Sequence, residues 1–258
     1  PLPVPPTAHV RYVDRMPVDE QLRHYPELGG VPLAPVDLIA SADDLSVLPD
    51  ASVDFVIANH LLEHVEDPIA ALCEFERVLR PRGVVYLALP DHRTTFDRDR
   101  ELTTVEHLLR EHAEGTAATR RDHYLDWARN VDRARPEDVE RHADRLMSDR
   151  YSIHFHCWNP DTFLDFFVAA RRQATLDFSV AAFAPPEGPA DPEFILILVK
   201  GRSGVPPSPP APAGRPRWRQ RLAAGPLGPP LRAVRRRLVA TWTKLRHRPS
   251  AGPAARRC

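Results

Sequence analysis

Residues 50–91 hold the clearest alternation of apolar and polar stretches in the chain. Val53, Phe55, Val56 and Ile57 form an apolar run that is short and rich in β-branched residues, which predicts a buried strand. Residues 59–68 are a polar loop containing His60, Glu63, His64, Glu66 and Asp67. Ile69, Leu72, Phe75, Val78 and Leu79 then recur at helical spacing and place one apolar face on a helix. Arg80-Pro81-Arg82-Gly83 stops it, since Pro cannot continue a helix and Gly83 is expected to take the left-handed turn. Residues 84–89 are a second apolar run, closed by Pro90-Asp91. Two buried strands joined by a helix predict a parallel βαβ unit with its site at the strands' carboxyl ends. Those ends are Ala58-Asn59-His60 and Pro90-Asp91-His92.

The flanking pattern extends this unit in both directions. A short strand is expected near residues 10–13, ending at Asp14, then a helix within residues 16–28 interrupted by Pro26, and a strand at residues 36–39. Residues 93–150 are highly charged, with apolar spacings that predict three helices in an inserted layer. Residues 151–158, YSIHFHCW, alternate polar and apolar positions, as a strand or extended segment does; His154 and His156 should then face the same way. Asn159-Pro160-Asp161 caps a helix carrying Phe163, Phe166 and Phe167, an aromatic stripe that reads as core. Two strands follow, within residues 176–183 and 194–200, and the continuously apolar FILILVK belongs in the sheet's interior. The fold class expected is α/β: a Rossmann-like doubly wound sheet, mostly parallel with a C-terminal antiparallel strand, plus a helical insertion over about residues 93–150.

Composition changes the picture mainly at the C-terminus. Fourteen of the 35 Arg and Lys residues lie beyond residue 200, with no Asp or Glu among them, so a formally neutral chain divides into an acidic body and a basic tail. Residues 1–200 are expected to form one domain, 201–214 a Pro-rich linker, and 215–258 a basic, partly amphipathic or disordered tail. In that tail Leu231, Val234, Leu238, Trp242 and Leu245 share a helical face flanked by arginines, which suits an anionic membrane surface. Its interleaved Pro and Gly argue against a nucleic-acid domain. The three cysteines, Cys73, Cys157 and Cys258, form no CxxC pattern. No apolar run reaches the ~20 residues of a membrane span, and no signal peptide opens the chain. A cytoplasmic protein is expected, held peripherally at the inner membrane face if the tail engages lipid.

The stretch VDFVIANHLLEHVEDPIAALCEFERVLRPRGVVYLALPD closely resembles the middle of class I S-adenosylmethionine-dependent methyltransferases of the type 11 kind. Other phrases, such as RYVDRM, HYPEL and YSIHFHCW, resemble an uncharacterised bacterial subgroup. The resemblance implies S-adenosyl-L-methionine as cofactor. It assigns Asp14 to the ribose hydroxyls, Asp43 or Asp44 to the adenine, and Asn59 and His60 to the methionine end. Asp91, His92 and Arg93 follow a strand at the sheet's carboxyl edge, where acceptors usually dock, and are expected beside the acceptor substrate. The family's Gly-rich loop has no counterpart in the chain, which begins with Pro; the first βα unit is expected to be missing. Arg82 stands where the family usually has Gly.

The residues themselves leave three matters open. His60, His154 and His156 are candidate catalytic groups, because imidazole titrates near neutrality and can serve as a general base toward a hydroxyl. No metal is expected; the alternative is a divalent ion at His60, Glu63 and His64, whose i, i+3, i+4 spacing shares one helical face. The function expected is methyl transfer to a small-molecule or glycan-type acceptor, in surface-polysaccharide biosynthesis if the resemblance extends so far. Against it stand a truncated, non-catalytic methyltransferase-like binding protein and a metal-dependent nucleic-acid methyltransferase.

Overall fold

A computed structural model of the chain describes residues 4–188 and 191–201. The Pro-rich linker and the basic tail expected from the sequence lie outside the described residues, apart from Gly201. The chain divides into two compact units. The described part of the smaller comprises residues 4–12 and 18–34, with helix α1 (Val18–His24) and a 3-10 turn at Pro26–Leu28. The helix expected within residues 16–28 is thus a two-turn helix that ends before Pro26. Tyr25 precedes that proline with φ −126° and ψ 76°, outside the helical region that the proline ring disfavours for it.

The described part of the larger unit, residues 13–17, 35–188 and 191–201, carries the sheet. β1 (Val13–Asp14) and β2 (Leu38–Ile39) form a short parallel pair, both shorter than the sequence pattern suggested. The main sheet has the order β3 (Val53–Asn59), β4 (Leu79–Pro90), β6 (Glu193–Lys200), β5 (Phe178–Ala184). β3 and β4 pair in parallel, whereas β6 is antiparallel to both its neighbours. Three strands of this sheet therefore run one way and only β6, the last described strand, opposes them, the α/β arrangement expected. FILILVK lies between β4 and β5, in the interior of the sheet.

Period-two alternation decides which face is covered. Val85, Leu87 and Leu89 of β4 and Phe194, Leu196 and Leu198 of β6 are almost wholly buried, while Val84, Tyr86, Ile195 and Ile197 are only partly so. The buried set shares one core with α2 (Pro68–Val78) and α6 (Pro160–Gln173). α2 starts where Asp67 accepts hydrogen bonds from Ile69 N and Ala70 N, with Pro68 pre-set in the first turn. α6 starts with a capping box between Asn159 and Thr162. Phe163, Phe166 and Phe167 point inward from it, as the stripe predicted.

The turn after α2 departs from expectation. Register slips between Val53↔Leu79 and Phe55↔Val84, so residues 80–83 bulge out of the β3–β4 ladder. Arg82, not Gly83, takes the left-handed backbone, at φ 69°. Gly83 is required for space instead: a Cβ there would stand 2.7 Å from Leu79 Cδ2 and 2.9 Å from Arg80 O.

The charged stretch forms α3 (Val105–Glu114), α4 (Arg120–Asn130) and α5 (Val139–Ser148). α4 and α5 enclose a second core of Tyr124, Trp127, Ala128, Val139, Ala143 and Leu146, joined by Ile153 and Phe155. Residues 151–158 are neither strand nor helix, and residues 153–158 are all buried. Among the described residues, no helix is long and apolar enough to cross a membrane.

Candidate functional site

The carboxyl ends of β3 and β4 gather most of the residues that the sequence singled out. His60 follows β3 with φ 49°, a left-handed conformation that costs a β-carbon residue of order 1 kcal/mol. Its backbone N–H is tied to Ala88 O at 2.8 Å, which keeps it beside β4. Its imidazole is held from two sides. Nε2 donates to Glu193 Oε2 at 2.7 Å, and Nδ1 lies 3.6 Å from Glu63 Oε1. Glu193 opens β6 and pairs with Pro90 at the end of β4, so the antiparallel last strand delivers a carboxylate to the parallel strands' carboxyl edge. Asn59 is exposed beside it.

Glu63 sits on the 3-10 turn Leu62–His64 and is fully buried, with neither carboxylate oxygen hydrogen-bonded. Burial pushes its carboxyl above the usual range, partly offset by His154 and His60. Its backbone carbonyl accepts from Phe155 N at 2.7 Å, fastening residues 151–158 onto the loop. The helical layer grips the same loop through Glu66–Arg120 at 2.8 Å and Asp67–His112 at 2.8 Å.

His154 and His156 do not face the same way, because the segment that carries them is irregular. His154 Nδ1 donates to Asp97 Oδ2 at 2.7 Å, and its ring meets that of His64 edge-on at 4.6 Å. Asp97 also accepts from Arg100 Nη1 at 2.8 Å, and Arg100 Nε reaches Asp126 at 2.6 Å. Burial opposes ionisation of Asp97, but His154 and Arg100 outweigh it and hold the carboxyl well below the usual range. His156 turns instead toward Glu66 O at 3.1 Å and toward Glu111. Burial lowers it to about 3, so its imidazole is neutral near pH 7 and a weak base. Both rings are buried beneath the helical layer, and His60 is the more open of the three candidate imidazoles.

The metal alternative changes one member. Glu63 and His64 share a compact group of ligand atoms with His154 rather than with His60. His64 Nδ1 is meanwhile engaged at 2.9 Å from Ile153 O and 3.0 Å from Ser152 Oγ.

At the end of β4, Asp91 is buried. Its carboxylate accepts from Arg93 N and is gripped by the Arg93 guanidinium at 2.6–3.2 Å. His92 Nε2 is held at 2.7 Å from Arg100 O. Of the three expected acceptor residues, Arg93 alone is exposed, with Asp91 reinforcing its charge. Asp14, at the end of β1, accepts from Met16 N through Oδ1 at 3.0 Å, which fixes the carboxylate and leaves Oδ2 as an acceptor. Asp43 and Asp44 lie on the turn after β2: Asp43 takes the Ser41 hydroxyl and Asp44 takes Ser46 N, so both carboxylates are used in shaping the turn.

Residues 19–87 match the family described as Methyltransferase domain. The matched stretch holds β3, α2 and most of β4, with Asn59, His60, Glu63 and His64. The chain is also 44% identical over 54 residues to a probable S-adenosylmethionine-dependent methyltransferase of Mycolicibacterium smegmatis, covering 21% of each. It thus spans about a fifth of that curated relative's length. Solved structures of similar chains include a SAM-dependent methyltransferase of Methanosarcina mazei (17% identity, TM-score 0.36, 73% of this chain and 80% of that one). Another is a possible histamine N-methyltransferase of Thermotoga maritima (16% identity, TM-score 0.33, 65% of each chain). These structural likenesses are too low to bear on substrate or mechanism.

S-adenosylmethionine, the donor that the family match implies, meets residues of fitting chemistry at two places. Asp14 offers an acceptor-only carboxylate of the kind that takes two ribose hydroxyls, and the β3 end offers Asn59 and His60. Among the described residues no Gly-rich strand-to-helix turn is formed, and β3 has no strand on its other edge. Sequence reasoning missed Glu193, Asp97 and Arg100. Glu193 was legible as an acid opening an apolar strand; the Asp97–Arg100 pair was legible as an i, i+3 pair of opposite charge.

Proposed function

We propose that the protein transfers a methyl group from S-adenosylmethionine to a small-molecule or glycan-type acceptor. The observation that carries this reading is the family match across β3 and α2, with His60 anchored at the carboxyl end of the matched strand. S-adenosylmethionine supplies, when bound, an electrophilic methyl group on a sulfonium. Asp14 would accept from the ribose, and Asn59 and His60 would face the methionine end. His60 is oriented for this by Glu193, which fixes its Nε2–H and leaves Nδ1 on the side of buried Glu63. Arg93, braced by Asp91, presents an exposed guanidinium at the neighbouring strand end, suited to an acceptor bearing phosphate or carboxylate. Alignment of acceptor and donor supplies much of the rate in such a transfer, so the residues needed are chiefly those that position.

Incubation with tritium-labelled S-adenosylmethionine and parallel panels of nucleotide sugars, phosphorylated small molecules and transfer RNA tests the acceptor class. Label in one of the first two panels, reduced at least tenfold by Arg93→Ala, is expected. Label confined to RNA would overturn the acceptor assignment. The basic segment at residues 231–245 is proposed to favour anionic lipid; flotation with phosphatidylserine vesicles, with and without residues 215–258, should then differ, and equal recovery would reject it.

A further inference from the structure

His107, Glu111, His123 and His156 meet where α3, α4 and the 151–158 segment come together. We infer that these four side chains form a binding site for a divalent transition-metal ion, zinc being the best match, which staples α3, α4 and the 151–158 segment together. His107 and Glu111 stand at i and i+4 on α3 and so share a face; α4 contributes His123, and the irregular segment brings in His156. Glu111 Oε1 is 3.0 Å from His107 Nε2 and 2.8 Å from His123 Nε2, and those two nitrogens are 3.3 Å apart. His156 Nε2 is 3.8 Å from Glu111 Oε2. All four ligand atoms lie within 4.8 Å of one another. Ligands at about 2.0–2.1 Å from a tetrahedral zinc ion stand roughly 3.4 Å from each other, and the observed separations bracket that value.

Ion pairing alone leaves this group incomplete. Two imidazole nitrogens converge on a single oxygen, while Glu111 Oε2 is buried with no hydrogen-bond partner, as is His156 Nδ1. The side chains of Glu111 and His156 are 1% and 0% exposed. A cation at the centre of the four would engage the orphan oxygen and the convergent nitrogens together. Three imidazoles with one carboxylate suit zinc more than magnesium or calcium, and four protein ligands describe a closed, structural site. Thr119 donates its hydroxyl to Glu111 Oε1, an orienting contact of the kind that surrounds metal ligands. An open pocket of about 320 Å³, lined by Arg110, Glu111, Glu114, Gly115, Ala118 and Thr119, gives an entry path. Ligation would move two contacts: Arg110 would leave His107 Nδ1, now 3.3 Å away, and His156 would exchange Glu66 O for the ion. The group is separate from Glu63, His64 and His154, and the inference does not depend on methyl transfer.

The test is metal content of the full chain, incubated with zinc sulfate, desalted and measured by inductively coupled plasma mass spectrometry. One zinc per chain is expected, lost in Glu111→Gln and in His123→Ala but retained in Glu63→Gln. Substoichiometric zinc in the wild type, or undiminished zinc in Glu111→Gln, would overturn the site. Should a variant fail to fold, cobalt substitution of the wild type decides. Intense d–d absorption of a tetrahedral site, abolished by competing zinc, supports the inference; weak octahedral absorption refutes it.

Discussion

Removing the Asp97 carboxylate should loosen the helical layer more than any surface change could. Asp97 and Arg100 side chains are each 2% exposed, and Asp97 bonds Arg100 at 2.8 Å and His154 at 2.7 Å. Arg100 retains Asp126 and lies over the Trp127 ring at 5.6 Å. Asp97→Ala leaves a buried guanidinium with one partner instead of two and removes the acceptor facing His154 Nδ1, which should cost about 3–5 kcal/mol. Against a domain stability of roughly 5–15 kcal/mol, that is a large fraction. Asp97→Asn keeps shape and some hydrogen bonding but loses the charge, at about 2 kcal/mol. The pH dependence has a definite sign. Asp97 titrates below its unfolded value, so its contribution is fully present above about pH 4 and fades as pH falls through the folded value. Urea unfolding followed by circular dichroism should show both losses near neutral pH, with the difference between wild type and Asp97→Asn shrinking under acid. A loss within about 0.5 kcal/mol for Asp97→Ala, the range of an ordinary surface substitution, would refute the reasoning.

Other outcomes follow from single residues. Arg82→Gly relieves a left-handed backbone at φ 69° and should stabilise by about 0.5–1 kcal/mol after the added chain entropy, read as an upward shift of the urea midpoint. Asp67→Ala removes the α2 cap and the partner of His112 and should cost about 1–2 kcal/mol, measured in the same way. Glu63 is a carboxyl raised by burial, so the fold pays increasingly as pH rises from the unfolded value toward the folded one. Glu63→Gln should therefore gain stability relative to wild type at pH 8 compared with pH 5; an equal difference at both would contradict the burial account.

The β3–α2–β4 unit and α6 were legible in the sequence because their apolar spacing is local and strong. The sequence of the bulge after α2 points to Gly83 for the left-handed position that Arg82 takes. A glycine normally takes that role, but Gly83 is needed against Leu79 and Arg80 O, so Arg82 bears the strain. Residues 151–158 alternate like a strand yet pair with nothing in the sheet; His154 is drawn to Asp97, and His156 to Glu66 O and Glu111. The His107–Glu111 spacing was visible on α3, but its completion by His123 and His156 is a product of tertiary packing across 49 residues of chain, which periodicity cannot reveal. Asp91 stands out in the sequence by its place after a strand, but its burial and its pairing with Arg93 depend on how the chain turns beyond β4.

Calorimetric titration of the full chain with S-adenosylmethionine tests the central claim most directly. The account predicts saturable one-to-one binding, displaced by S-adenosylhomocysteine and weakened at least tenfold in Asp14→Ala and in His60→Ala. Absence of binding to a folded chain, or binding untouched by both substitutions, would contradict it.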